Sequence, residues 1–163
     1  MATSPTPVSP RPAGLPRELL SSTGFLLKRL GFALKERAHE ALQPTGLSPQ
    51  HHAVLTLVEE GACSAQGAIA DVLGYDRSQL VGLLDELEEQ RLIERRRDPA
   101  DRRRHVVQMT PAGRKTLARL RALSQKLERE FLAPLDEAER AELHALLLRL
   151  AGDHIPACRG VVR

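Results

Sequence analysis

Six arginines surround a short turn-forming segment in the second half of the chain. Residues 95–97 and 102–104 are all arginine, and the four residues between them include two aspartates. The segment 95–104 therefore has six arginines against two aspartates, a local net charge of +4. A guanidinium group binds phosphate oxygens through paired N–H donors. The chemistry that this cluster offers is the binding of anions, above all phosphates.

The order of residues around these arginines predicts a β-hairpin. Leu92 and Ile93 begin an extended stretch, and Asp98, Pro99 and Asp101 are typical of a turn. A run of charge is most often a solvated surface, but this run follows an amphipathic helix directly. That combination favours contact with a DNA duplex.

The preceding helix has a clear start signal and one apolar face. Asp76 is a helix-capping residue, and Gln79 three positions later completes the pattern of a capping box. The residues that recur on the inward face are Leu80, Leu83, Leu84 and Leu87. The outward face carries Ser78, Val81, Gly82 and Asp85, with Arg77 and Gln79 at its edges. We interpret this face as the one that reads bases.

A shorter helix is predicted just before this one. Ser64 is its expected N-cap, and Leu73, Gly74 and Tyr75 form a tight turn into the next helix. Helix, turn and helix in this order are typical of DNA-binding proteins. Ser64 and Gln66 are candidate phosphate contacts, although capping alone also explains Ser64.

These motifs resemble those of the MarR family of winged helix-turn-helix regulators. The resemblance rests on D-R-S-x-L-x-x-L-L-D-x-L-E from Asp76, followed by L-I-x-R, D-x-x-D-x-R and M-T-x-x-G, and it covers most of the chain. It implies a mainly α fold with a small antiparallel β-hairpin and an α-helical dimerisation region. It also implies that Asp101 and Arg103 hold the tip of the wing in the minor groove.

Two features depart from the family pattern. Val81 and Gly82 stand where the recognition helix often has polar or basic side chains, and Arg91 replaces a common glycine. Direct base contacts should therefore be fewer than is usual. The predicted DNA-binding residues are Ser64, Gln66, Arg77, Ser78, Gln79, Arg97, Asp101, Arg102, Arg103 and Arg104.

The remaining chain predicts further helices. We expect one continuous helix over residues 17–42, another that begins at Ser48, and a long one that begins at Thr110 and ends before Pro134. A last helix should begin with a capping box of Asp136 and Glu139 and close at Gly152. Its apolar stripe consists of Leu143, Leu146, Leu147 and Leu150.

Four segments follow from these elements. Residues 1–16 are rich in proline and should form a disordered tail, and residues 48–110 should form the DNA-binding lobe. The helices over residues 17–47 and 111–163 exceed what such a lobe needs, so we assign them to dimerisation. A two-fold homodimer matches a pseudo-palindromic DNA site.

Composition limits the class of protein. The chain has 163 residues, 42% of them hydrophobic but only 2% aromatic, so leucine and alanine must fill a helical core. The net charge of +3 permits a nucleic-acid partner. Two cysteines give no disulfide framework, and no apolar run approaches the ~18 residues of a membrane span. We expect a cytoplasmic protein with no membrane partner.

A ligand site is implied by the resemblance, since MarR-like proteins commonly bind aromatic or phenolic effectors in a cleft beside the dimer helices. The candidate ligand-binding residues are Phe32, His39, His51 and His52. A metal site from these histidines would need ligands that converge from two helices, so we expect satisfied or surface histidines and neither a metal nor another cofactor.

No motif of a hydrolase, metalloprotease or nucleotide-binding enzyme is present, so we expect a regulator rather than an enzyme. The family favours repression of transcription. Two alternatives remain: an architectural DNA-binding protein of low specificity, and a protein-interaction adaptor that has lost DNA binding. The six arginines argue against the adaptor.

Overall fold

The computed structural model describes residues 14–61, 66–97 and 105–159, apart from the side chain of His105. Ser64, Asp101, Arg102, Arg103 and Arg104 lie outside the described residues. The helices are α1 (Arg17–Leu20), α2 (Thr23–Leu42), α3 (Pro49–Glu60), α4 (Gln66–Leu73), α5 (Arg77–Glu89), α6 (Pro111–Phe131) and α7 (Glu137–His154). Short 3-10 turns follow α2 and α7.

The predicted hairpin is present. Strands β1 (Ile93–Arg97) and β2 (His105–Met109) are antiparallel, with Ile93 opposite Met109 and Arg97 opposite His105. Over the described residues the fold is therefore mainly α with a two-stranded antiparallel sheet, which confirms the predicted fold class. The chain divides into two compact units, residues 1–36 and 37–163.

The prediction of one continuous helix over residues 17–42 is wrong. The helix is interrupted between α1 and α2 at Ser21 and Ser22. The Ser21 hydroxyl donates to the carbonyl of Glu18, and the Ser22 hydroxyl accepts from the backbone N–H of Phe25. Serine side chains that bond to nearby backbone groups compete with helix hydrogen bonds. The first helix therefore ends and a second begins with Ser22 beside its N-terminus.

The hydrophobic core lies in the second unit, where α3 packs against α6 and β2. Aliphatic side chains fill it, as the low aromatic content predicts. The fully buried large side chains are Val54, Leu55, Ile69, Leu80, Leu84, Leu87, Ile93, Leu117 and Leu120. Because they come from α3, α4, α5, β1 and α6, a single core holds both the helix pair and the hairpin.

The predicted helix caps at the start of α3, α6 and α7 are confirmed. Ser48 caps α3, Thr110 accepts from the N–H of Gly113, and Asp136 forms a capping box with Glu139. The predicted end of α7 at Gly152 is wrong, since the helix continues to His154. Pro156 disfavours helical geometry in the residue before it, and Ile155 is extended. The proline therefore ends this helix.

Gly113 and Gly82 provide a matched test of packing in two helices. A Cβ at Gly113 would collide with the Leu92 carbonyl oxygen and the Met109 sulfur, whereas one at Gly82 would meet nothing within 4 Å. We expect Gly113→Ala to lower the free energy of unfolding by about 1 to 3 kcal/mol. Gly82→Ala should raise it by roughly 0.5 to 1 kcal/mol, because glycine weakens a helix interior. Urea denaturation measures both, and equal stabilisation of both variants would contradict this packing.

Candidate nucleic-acid interface

Helices α4 and α5 are joined by a tight turn at Gly74. This glycine has a left-handed φ of 66°, and the backbone N–H of Tyr75 donates to the Ala70 carbonyl at 3.1 Å. Glycine adopts a positive φ without the steric cost that a Cβ imposes. The predicted turn between α4 and α5 is therefore confirmed, and it delivers the chain directly to the cap of α5.

Asp76 caps α5 as predicted. Its Oδ1 accepts from the Gln79 backbone N–H at 2.7 Å and from the Ser78 hydroxyl at 2.6 Å. These two bonds, the Ser78 bond first, lower the pKa of Asp76. In this described part of the chain the second contact comes from Ser78, not from the predicted return bond of the Gln79 side chain. The Ser78 hydroxyl is therefore occupied within the helix cap.

The two faces of α5 are as the leucine spacing predicts. Leu80, Leu84 and Leu87 are buried, and Leu83 packs partly against the core. Solvent reaches the opposite face, which is formed by Arg77, Ser78, Gln79, Val81, Gly82 and Asp85. The first turn of α5 thus brings Arg77, Ser78 and Gln79 together at the exposed end of the helix. Gln66 is half-buried at the first position of α4.

Arg95 connects the hairpin to α5. Its Nη2 lies 2.6 Å from Asp85 Oδ1 and 2.5 Å from Glu88 Oε2, and its Nε donates to Glu88 at 2.8 Å. The backbone N–H of Arg95 also donates to Glu88, at 3.0 Å. Hydrogen bonding to Glu88, and then to Asp85, raises the pKa of this half-buried guanidinium. Arg95 therefore holds the first strand of the hairpin against the recognition helix.

Sequence reasoning did not single out this role. Asp85 and Glu88 are three residues apart in α5, a spacing that places two side chains on neighbouring turns of one helix. That spacing was the available signal, but it did not specify which arginine would bind there.

The arginine cluster also offers less unpaired charge than its composition suggests. Arg96 Nη2 lies 2.7 Å from Glu94 Oε2, and both side chains are exposed. Two of the three arginines in β1 are thus engaged with carboxylates. Arg97, the predicted DNA-binding residue of this strand, is exposed at its last position, next to segment 98–104. The number of arginines alone therefore overestimates how much positive charge in β1 is left without a carboxylate partner.

His51 is a buried residue of α3 whose side chain faces α5. Its Nδ1 accepts from the backbone N–H of Ser48 at 3.0 Å, which completes the capping box of α3, and lies 2.8 Å from the Ser48 hydroxyl. A backbone N–H can only donate, so Nδ1 carries a lone pair and the ring proton of neutral His51 is on Nε2. Nε2 lies 3.1 Å from Glu86 Oε2 in α5. Both ring nitrogens thus face protein groups.

His52 has a different environment. Its Nδ1 lies 3.3 Å from the Ser124 hydroxyl in α6, while its Nε2 is buried and has no hydrogen-bond partner among the described residues. Burial, and then the nearby charge of Arg121, lowers the pKa of His52. Arg121 itself pairs with Glu59 at 2.6 Å. His52 is therefore a half-buried side chain with one buried ring nitrogen that has no hydrogen-bond partner among the described residues.

The other two ligand candidates lie on α2. His39 is exposed in the second unit, and Phe32 is 59% exposed in the first. Within residues 14–61, 66–97 and 105–159, no group of three His, Cys, Asp or Glu side chains could hold a metal ion. No helix in the same ranges is long and apolar enough to span a membrane.

A buried core that presents a capped helix beside an antiparallel hairpin defines a winged helix-turn-helix DNA-binding protein. Residues 45–104 match the model of the MarR family. The putative transcriptional regulatory protein for the hcr operon of Thauera aromatica is 35% identical over 128 residues, which cover 78% of this chain and 77% of that protein. The chain belongs to the MarR family of transcription regulators.

Solved structures agree with this assignment. CouR from Rhodococcus jostii RHA1 bound to p-coumaroyl-CoA has a TM-score of 0.72 and 32% identity, over 85% of this chain and 95% of that one. The transcriptional repressor CouR bound to a 23-mer DNA duplex has a TM-score of 0.76 and 34% identity, over 85% of this chain and 99% of that one. The protein is thus similar to regulators seen with DNA and with a small molecule.

The His51 environment predicts how stability depends on pH. Burial lowers the pKa of His51 below 6.5 in the folded protein, although Glu86 opposes this effect. As pH falls through 6.5, the unfolded chain takes up a proton that the folded protein does not, so the free energy of unfolding should fall. His51→Gln cannot titrate, but it keeps a capping-box residue. Thermal unfolding from pH 7.5 to 5 should show a weaker pH dependence in this variant.

His52 provides a second test of the same effect, because burial also lowers its pKa. Each single glutamine variant should remove part of the dependence, and the double variant should remove more than either. A parent protein whose stability is unchanged from pH 7.5 to 5 would contradict the assignment.

Proposed function

We propose that the protein is a homodimeric, ligand-responsive repressor that binds a pseudo-palindromic DNA duplex. The observation that carries this proposal is the exposed, Asp76-capped face of α5, held beside the hairpin by Arg95. In this geometry α5 enters the major groove while the hairpin follows the neighbouring backbone and minor groove. CouR, which is similar over 85% of this chain, is described as a repressor bound to duplex DNA.

The exposed apolar surface of the second unit supports a dimer. None of the side chains of α7 is buried, and several of its large apolar residues face solvent. The exposed ones at this end of the chain are Leu146, Leu147, Leu150 and Ile155. Several large apolar side chains exposed on one helix mark an interaction surface, and a second copy is the simplest partner. Two recognition helices would then meet two half-sites about one helical turn apart.

His52 supports an effector site. Its buried Nε2 has no partner among the described residues, and a ligand oxygen could take that position. CouR binds p-coumaroyl-CoA, so an aromatic or phenolic compound is the class of effector that we propose. Binding of this effector would release the DNA from the protein. The function requires binding rather than catalysis, and it places the protein with the DNA in the cytoplasm.

Arg102 and Arg103 test the DNA-binding role of the wing. Arg103→Ala should weaken binding to a duplex selected from a random library by about 1.5 to 3 kcal/mol, the range for a hydrogen bond to a charged group. Arg102→Ala should weaken binding to selected and random duplexes alike, and should reduce the slope of log K against log salt by about one unit. Fluorescence anisotropy at several salt concentrations measures both effects.

Lys126→Ala is the charge-matched control, since Lys126 is an exposed residue of α6. Binding of folded, dimeric Arg103→Ala within a factor of two of the parent would overturn the role of the wing. A parent protein that binds selected and random duplexes equally would favour the architectural alternative.

A substitution at Leu147 tests whether the protein is a dimer. Leu147→Glu would place a carboxylate in an apolar interface, where burial of an unpaired charge is costly, so we expect a folded monomer. Gln90→Glu adds the same charge at an exposed position after α5 and should remain dimeric. Light scattering at micromolar concentration distinguishes the two states. A monomeric parent protein would refute the two-fold arrangement.

A further inference from the structure

We propose that Val81 and Gly82 form an apolar contact surface for the C5-methyl group of a pyrimidine in the major groove, one thymine in each half-site. This inference rests on the proposed DNA-binding function and names the feature of the site that α5 recognises. It makes Val81 a specificity-determining residue and Gly82 the position that allows the DNA to come close.

Two polar side chains of the outward face of α5 are already engaged within the protein. The Ser78 hydroxyl donates to Asp76 at 2.6 Å, and the Asp85 carboxylate lies 2.6 Å from Arg95. These groups lie on either side of Val81 along the helix. A base edge that meets the middle of this face therefore encounters Val81 and Gly82 rather than a hydrogen-bonding side chain.

Packing in the hydrophobic core does not account for Val81. Its side chain is 39% exposed, whereas its neighbour Leu80 is 1% exposed and Leu84 is completely buried. A β-branched residue is also a weaker helix former than the long straight side chains common on exposed helix faces. An external apolar contact would explain why valine stands at this position.

Packing within the protein does not account for Gly82 either. It lies in the interior of α5, where glycine weakens a helix, yet a Cβ there would meet nothing within 4 Å. Packing within the protein therefore gives no reason for this glycine. Close approach of a second molecule would explain the glycine, because the missing side chain leaves a flat surface beside Val81.

Thymine matches this surface chemically. Among the unmodified bases, only thymine displays a methyl group in the major groove, next to its O4 acceptor. Burial of one methyl group against valine corresponds to about a fourfold gain in affinity. A 5-methylcytosine presents its methyl group at the same ring position, so it should be accepted in place of thymine wherever the other groups allow it.

The test uses the full-length protein and a duplex that it selects from a random DNA library. Each thymine is replaced in turn by uracil, which removes only the methyl group. We expect one position in each half-site to lose about fourfold in affinity per methyl group. In Val81→Ala the same replacement should have no effect, while Val81→Thr, which keeps one γ-methyl group, should retain part of it. Gly82→Ala should bind less tightly although it unfolds at a higher temperature.

The outcomes separate this inference from the function on which it rests. If the parent protein selects no duplex, the proposed function itself fails. If it selects a duplex that contains no thymine, or one in which no uracil replacement changes affinity, only the methyl contact is refuted. Equal sensitivity of the parent and Val81→Ala to uracil would also refute it, because the methyl group would then contact another residue.

Discussion

The contact of Arg95 with Asp85 and Glu88 is the interaction on which the DNA-binding geometry depends. A two-stranded hairpin is only marginally stable by itself, so its position must come from what it packs against. Ile93 and Val107 anchor its base in the core, and the half-buried guanidinium ties β1 to two turns of α5. The hairpin and the helix, which in the proposed function contact one duplex together, are thereby held in one arrangement.

The same ion pairs determine what the helix can offer to DNA. Asp85 would otherwise repel phosphates and base acceptors from the outward face, but its carboxylate faces Arg95. Ser78 is similarly occupied by Asp76. The recognition helix therefore combines polar residues in its first turn with an apolar middle, and a contact to a methyl group suits that middle better than hydrogen bonding does. In the DNA contact that we propose, the interactions that stabilise the helix thus also limit how it reads bases.

His51 gives α5 a second connection to the rest of the lobe. One ring nitrogen completes the cap of α3 and the other faces Glu86, so a single buried imidazole joins the start of one helix to the side of another. His52, the next residue, points to a different environment near Ser124 and Arg121. Adjacent histidines thus have separate roles, one in structure and one at the site that we propose for an effector.

The sequence by itself determined the local features: the caps at Ser48, Asp76, Thr110 and Asp136, the leucine face of α5 and the antiparallel hairpin. These depend on residues within a few positions of one another, where capping, periodicity and turn chemistry act directly. Only the tertiary structure decided that Arg95 pairs with α5 and that His51 bridges two helices. Such pairings depend on which of several similar charged groups the packed core brings within hydrogen-bonding distance, and spacing along the chain does not specify that choice.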